Sequence, residues 1–178
     1  MDSHKISENI SIPQKTTISA DAPEGYAEHS SEIAALMGWF FLRYLRRMHE
    51  KFEGDFVLAI VLGEIAHHNI CHFYSKGKPR TLKKVKGLTS HQAWDDLEPC
   101  NAFSLSTATG IPRETIRRKI SILVKRGWIQ KHSTGGYIIL PNIAEHFSND
   151  LNLQTFKDLM DTSEELRNIL AGQCNPDG

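Results

Sequence analysis

The chain has 178 residues, 40 % of them hydrophobic and 24 % charged, which excludes a disordered polymer and a pair of full catalytic domains and leaves room for one compact module with added helices. Its formal net charge is +0, so attraction to a polyanion has to come from uneven placement of charge rather than from its total. Cys71, Cys100 and Cys174 are odd in number and scattered, which speaks against a disulfide framework and for a reducing cytoplasm.

Residues 1–28 are polar, contain Pro13, Pro23 and Gly25 and show no sustained apolar period; they predict a flexible arm without the apolar core of a signal peptide. From Ser30 the pattern changes. Ile33, Leu36, Met37, Phe40, Phe41, Tyr44 and Met48 recur at intervals of three and four, which places them on one face of a helix within residues 29–54. Ser30 or Ser31 is the expected cap and Gly54 the expected end. Two readings of that face stay open, packing inside the protomer and pairing with a second copy about a two-fold axis, and the second is preferred.

Asp55–Tyr74 predicts a second helix, capped by Asp55 and apolar on most sides in its first half. Its densest apolar run, Phe56–Ala66, contains Glu64 and is far shorter than the ~20 residues that span a bilayer, so no membrane insertion is expected. Residues 75–98 then read as a long basic connection with a short helix near Ser90–Leu97. Residues 76–90 hold six bases and no acid.

Asn101–Leu140 carries most of the information. Asn101 is a cap for a short helix over Ala102–Thr109, Gly110 permits a left-handed turn, and Pro112 suits the first position of the next helix. In that helix, 112–126, Ile116, Ile120 and Leu123 make a narrow apolar stripe and Arg113, Glu114, Arg117, Arg118 and Lys119 fall largely outside it. Gly127 ends it. Trp128 and Ile129 begin a strand, Gly135 and Gly136 turn the chain, and Tyr137–Leu140 returns as a second strand before Pro141. Seven bases against one acid lie within residues 113–131. Beyond Pro141, Ile143–Phe147 predicts one helical turn and Leu151–Leu170 an acidic amphipathic helix broken near Asp161–Ser163; residues 172–178 read as a disordered tail.

The run from Leu105 to Ile129, and the segment Gly110-Ile111-Pro112-Arg113-Glu114-Thr115-Ile116 with Arg118 above all, resembles the winged helix-turn-helix of bacterial transcription regulators of the Crp/Fnr type; MarR and GntR regulators share the module. With its first helix at Asp55–Tyr74 the resemblance covers about half the chain, residues 55–141, with 142–171 as an added helical region. It implies a mainly α fold with a small β-hairpin wing and extra N- and C-terminal helices. The 50 residues before the module are too few for a cyclic-nucleotide domain, and no cofactor is expected. The resemblance implies that Arg113, Glu114 and Arg118 read base edges, since arginine bonds two acceptors on guanine and glutamate accepts from cytosine. Ser106, Thr107, Thr115, Arg117, Lys119 and, on the hairpin, Lys131, His132 and Ser133 are the expected phosphate contacts. The partner so implied is double-stranded DNA, bound by a homodimer.

A winged helix also serves as a protein-binding adaptor. His67, His68, Cys71 and His72 have a usable metal-ligand spacing, with Cys100 or His91 as outside ligands, but a polar helix end is the simpler reading and no metal is expected. A ligand-responsive regulator with an effector held between the N-terminal helices stays open, the effector unknown. No phosphate-cradling glycine loop, Ser-His-Asp context or paired Cys-x-x-Cys motif is present, so an enzyme is not expected.

Overall fold

Helices and one returning hairpin are what this pattern produces. The computed structural model describes residues 21–71, 74–75, 78–79, 97–147 and 151–172. Among these, α1 spans Ser30–Lys51, α2 Phe56–Ile70, α3 Ala102–Thr109, α4 Arg113–Lys125, α5 Pro141–Phe147 and α6 Leu153–Leu170. A two-residue pair, β1 (Tyr74–Ser75) with β2 (Lys78–Pro79), follows α2, and β3 (Ile129–Lys131) pairs antiparallel with β4 (Tyr137–Ile139), Gln130 opposite Ile138. The protein is mainly α with a small antiparallel hairpin, as the sequence predicts.

The core forms where apolar faces from all these elements meet. Leu58, Val61 and Ile65 of α2, Leu105 of α3, Ile116, Ile120 and Leu123 of α4, and Ile129 and Ile138 of the hairpin are buried in one cluster. The cluster does not stop at residue 141. Ile143 and Phe147 of α5 and Leu151 belong to it, and Phe147 stacks on Phe52 with ring centroids 5.5 Å apart while Trp128 meets both rings edge-on. Aromatic side chains of this size carry a large share of a small core. The linker Phe52 and helix α5 are thereby built into the same unit as α2–α4.

Helix ends follow local chemistry, with some departures. Asp55 caps α2 by accepting from the Leu58 amide at 2.9 Å, and Asn101 caps α3 by accepting from Phe103 and Ser104. No side chain caps α1; His29 precedes Ser30 there. Helix α2 stops at Ile70, short of the expected Tyr74, because Tyr74–Ser75 pairs with Lys78–Pro79 instead. Pro112 stands just before α4 in an extended conformation rather than inside it. The expected break in α6 is absent, since Thr162 points inward and is 6 % exposed at the middle of a continuous helix. Helix α5 has seven residues, about two turns instead of one.

Helices α1 and α6 pack against each other. They run antiparallel: Arg47, near the end of α1, bonds Asp158 near the start of α6, while Gly25 ahead of α1 lies beside Leu170 at the end of α6. The expected short helix at Ser90–Leu97 and the 172–178 tail fall almost wholly outside the described residues, as does most of the basic 76–90 stretch. Among the described residues no helix is long and apolar enough to cross a membrane.

Candidate nucleic-acid interface

The turn between α3 and α4 is held by two side chains and one backbone conformation. Gly110 sits at φ 71°, which a β-carbon would strain. Ser106 Oγ donates to the Ile111 carbonyl at 2.8 Å, Thr109 Oγ1 donates to the Leu105 carbonyl at 2.7 Å, and the Ile111 amide donates back to Thr109 Oγ1. These bonds fix the angle at which α4 leaves the turn.

Helix α4 is divided lengthwise. Ile116, Ile120 and Leu123 are at most 3 % exposed and face the core. Arg113, Glu114, Arg117 and Arg118 are exposed, and the i, i+4 relations 113/117 and 114/118 set them in two neighbouring rows on the opposite side. Arg117 Nη1 lies 3.5 Å from Glu114 Oε2, an exposed pair that water screens strongly. The Arg113 and Arg118 side chains pair with no other described residue. Thr115 is half-buried on the flank.

Two of the expected phosphate contacts are engaged internally. Lys119 does not face outward with the arginines: its Nζ lies 2.6 Å from Asp55 Oδ2, with only 19 % of the side chain exposed, and so it ties α4 to the start of α2. Ser106 is occupied by its bond to Ile111. Arg126 is also committed to the scaffold, 3.0 Å from Glu53 and stacked over Trp128. Burial pushes the Asp55 carboxyl up, yet the bond from Lys119, the Leu58 amide and the charges of Lys119 and Arg126 outweigh it and hold Asp55 below the ordinary carboxylate range.

The hairpin stands beside α4. Gly135 and Gly136 both have positive φ, and a β-carbon on Gly136 would come within 2.7 Å of the Cys100 carbonyl oxygen. That close approach exists because Cys100 and Tyr137 exchange backbone hydrogen bonds, which docks the entry to α3 against β4. Lys131 and Ser133 are exposed near the tip, and His132 is half-buried with Nδ1 2.7 Å from Thr134 Oγ1. Thr107 is exposed on α3, its hydroxyl donating to the Phe103 carbonyl.

Asn69, which the sequence reading passed over, organises the other side of the module. Fully buried, it donates from Nδ2 to the Glu98 and Tyr137 carbonyls at 2.7 and 3.1 Å and accepts at Oδ1 from the Ile139 amide at 2.9 Å. Its signal was present: Val61, Ile65 and Asn69 share one helical stripe, so an amide interrupts an otherwise apolar face. Phe103, 64 % exposed on α3, was also missed.

The metal-ligand spacing weighed in the sequence does not assemble into a cluster among the described residues. His67 is exposed and His68 half-buried, while His72 and His91 lie outside the described residues. Cys71 Sγ is 3.8 Å from a Glu98 carboxylate oxygen. Cys100 is buried, and desolvation raises its thiol to about 12, far from the thiolate a metal needs. No group of three or more His, Cys, Asp or Glu gathers among the described residues.

The expected pairing face of α1 divides. Ile33 is 5 % exposed, and Tyr44 and Met48 pack on the core, so these three serve the protomer itself. Leu36 and Phe40 are half-buried. Met37 and Phe41 remain outside at 43 % and 50 % exposure, joined by Trp39, Leu42 and Leu45. Between α1, α2 and α5 lies an open cavity of about 360 Å³ lined by Tyr44, Met48, Leu62 and Phe147 among others, without a charged side chain.

No family model, no curated protein and no solved structure matches this chain.

Proposed function

We propose that the protein is a sequence-specific double-stranded DNA-binding transcriptional regulator of the cytoplasm that acts as a homodimer through a winged helix-turn-helix, with α4 in the major groove and the β3–β4 hairpin against the neighbouring backbone. The observation that carries this reading is the lengthwise division of α4: one face locked into the core through Ile116, Ile120 and Leu123, the other presenting Arg113, Glu114, Arg117 and Arg118 to solvent. A surface serving solubility alone has no need of so rigid a mount. A major groove about 12 Å wide admits a helix of this kind.

Arg113 and Arg118 are assigned to guanine acceptors and Glu114 to a cytosine amino group. Arg117, Thr115, Thr107, Lys131, His132 and Ser133 are assigned to phosphates, where they set register without reading sequence. Lys119 and Ser106 are left out of the contact set, because Lys119 is held part-buried by Asp55 at the start of α2 and Ser106 is part-buried against the Ile111 carbonyl inside the turn. No cofactor, metal or catalytic group enters the reading.

Selection of bound sequences from a random duplex pool tests it. The expected product is an inverted repeat of G·C-containing half-sites with centres about 10 base pairs apart. Binding that enriches no sequence and disappears at moderate salt contradicts the proposal and favours a winged-helix adaptor for proteins.

A further inference from the structure

Exposed apolar surface is concentrated on two helices. Nine of the large hydrophobic side chains left in solvent lie on α1 and α6: Met37, Trp39, Phe41, Leu42 and Leu45 on the first, and Leu153, Phe156, Leu159 and Met160 on the second, each between 43 % and 60 % exposed. A large aromatic side chain presents roughly 150–250 Å² and Leu or Met somewhat less, so these three aromatic and six aliphatic side chains near half exposure leave on the order of 800 Å² in water. The largest apolar patch of a typical monomer is about 300–600 Å². A standard protein interface removes about 800 Å² from each partner, which is the area these two helices offer.

Charge says which partner fits. Helix α1 carries four Lys or Arg against two acids, with Arg43, Arg46, Arg47 and Lys51 gathered in its second half; α6 carries four acids against two bases. Among the described residues, Asp158 is the acid that answers Arg43 and Arg47 of α1. Both turn to that single carboxylate, and Arg47 Nη1 is buried without an acceptor among the described residues. Arg46 on α1 and Asp161, Glu164 and Glu165 on α6 are all exposed. A basic apolar helix and an acidic apolar helix on one surface complement each other when that surface meets its own copy about a two-fold axis.

We infer that a second copy of this chain covers the α1–α6 face, with α1 of one protomer lying along α6 of its partner, so that the dimer rests on the C-terminal helix as much as on the N-terminal one. The inference extends the two-copy element of the proposed function, and association is measured without DNA so that either reading can fail alone.

Sedimentation velocity at micromolar concentration is the test. The wild-type protein sediments at twice the chain mass. Phe41→Glu on α1 and, separately, Phe156→Glu or Met160→Lys on α6 each sediment as monomers with an unchanged far-ultraviolet circular dichroism spectrum, since these side chains are half exposed in the protomer. Phe103→Glu, which places the same charge on an exposed phenylalanine of α3, leaves the dimer intact. A monomeric wild type would give the face to a different protein and overturn the inference. So would folded α6 variants that remain dimeric, or an equal loss of association in Phe103→Glu.

Discussion

Asn69 shows how a single buried amide can hold three chain segments at once. Its fully buried side chain answers the Glu98 and Tyr137 carbonyls and the buried Ile139 amide. Asn69→Leu fills a similar volume but leaves the Ile139 amide and the Glu98 carbonyl without their partner, while the Tyr137 carbonyl keeps the Cys100 amide; an unsatisfied buried donor or acceptor costs about 1–3 kcal/mol. Urea unfolding is expected to show a loss of ~2 kcal/mol or more, and a loss below about 1 kcal/mol would mean that the amide does not pin β4 to α2. The stripe Val61, Ile65, Asn69 made this residue visible in the sequence, but its three partners lie 29 to 70 positions away, and no local pattern announces them. Lys119 teaches the opposite lesson. It reads as one more base on an outward face, and only the packing of α4 across the start of α2 reveals that Asp55 claims it.

Asp55 joins two elements through one carboxylate, capping α2 with one oxygen and holding Lys119 of α4 with the other. Desolvation raises its pKa and the Lys119 and Leu58 bonds more than offset this, so the folded value lies below the ordinary one. A carboxylate depressed in this way stabilises the fold above its unfolded pKa of about 3.9 and loses that contribution as pH falls through the lower folded value. Replacing a capping aspartate by alanine costs about 0.5–2 kcal/mol. Asp55→Ala should therefore be less stable than wild type at pH 7 by ~1–2 kcal/mol, and the gap should close as the pH drops below about 4. A gap that stays constant from neutral pH to pH 3 would remove the carboxylate from this role. Most elements were legible in advance because their signals are local: Asn101 before α3, Gly110 at the turn, Gly135 and Gly136 at the hairpin, and the Ile116, Ile120, Leu123 stripe. The continuous α6 was not, because Thr162 looks like a breaker in the sequence and only the folded packing leaves it 6 % exposed.

At the scale of the whole molecule, the proposed reading face and most of the exposed apolar surface lie on different helices. Arg113, Arg117 and Arg118 project from α4, while nine of the exposed large hydrophobic side chains are carried by α1 and α6. That separation suits a protein that grips a polyanion with one part and its own copy with another. The sequence pointed to α1 for the second task, but seven periodic residues could not tell which side of the helix the protomer would take for itself; Ile33, Tyr44 and Met48 went to the core, and α6 supplied surface that an acidic amphipathic pattern alone does not assign. The central claim, that the outer face of α4 reads bases, is tested most directly by the affinity and base preference of Arg118→Ala on the duplex selected by the wild type. Specific binding should weaken by ~1–3 kcal/mol, with preference relaxed at one base pair of each half-site. Unchanged affinity together with unchanged preference at every position would contradict the account.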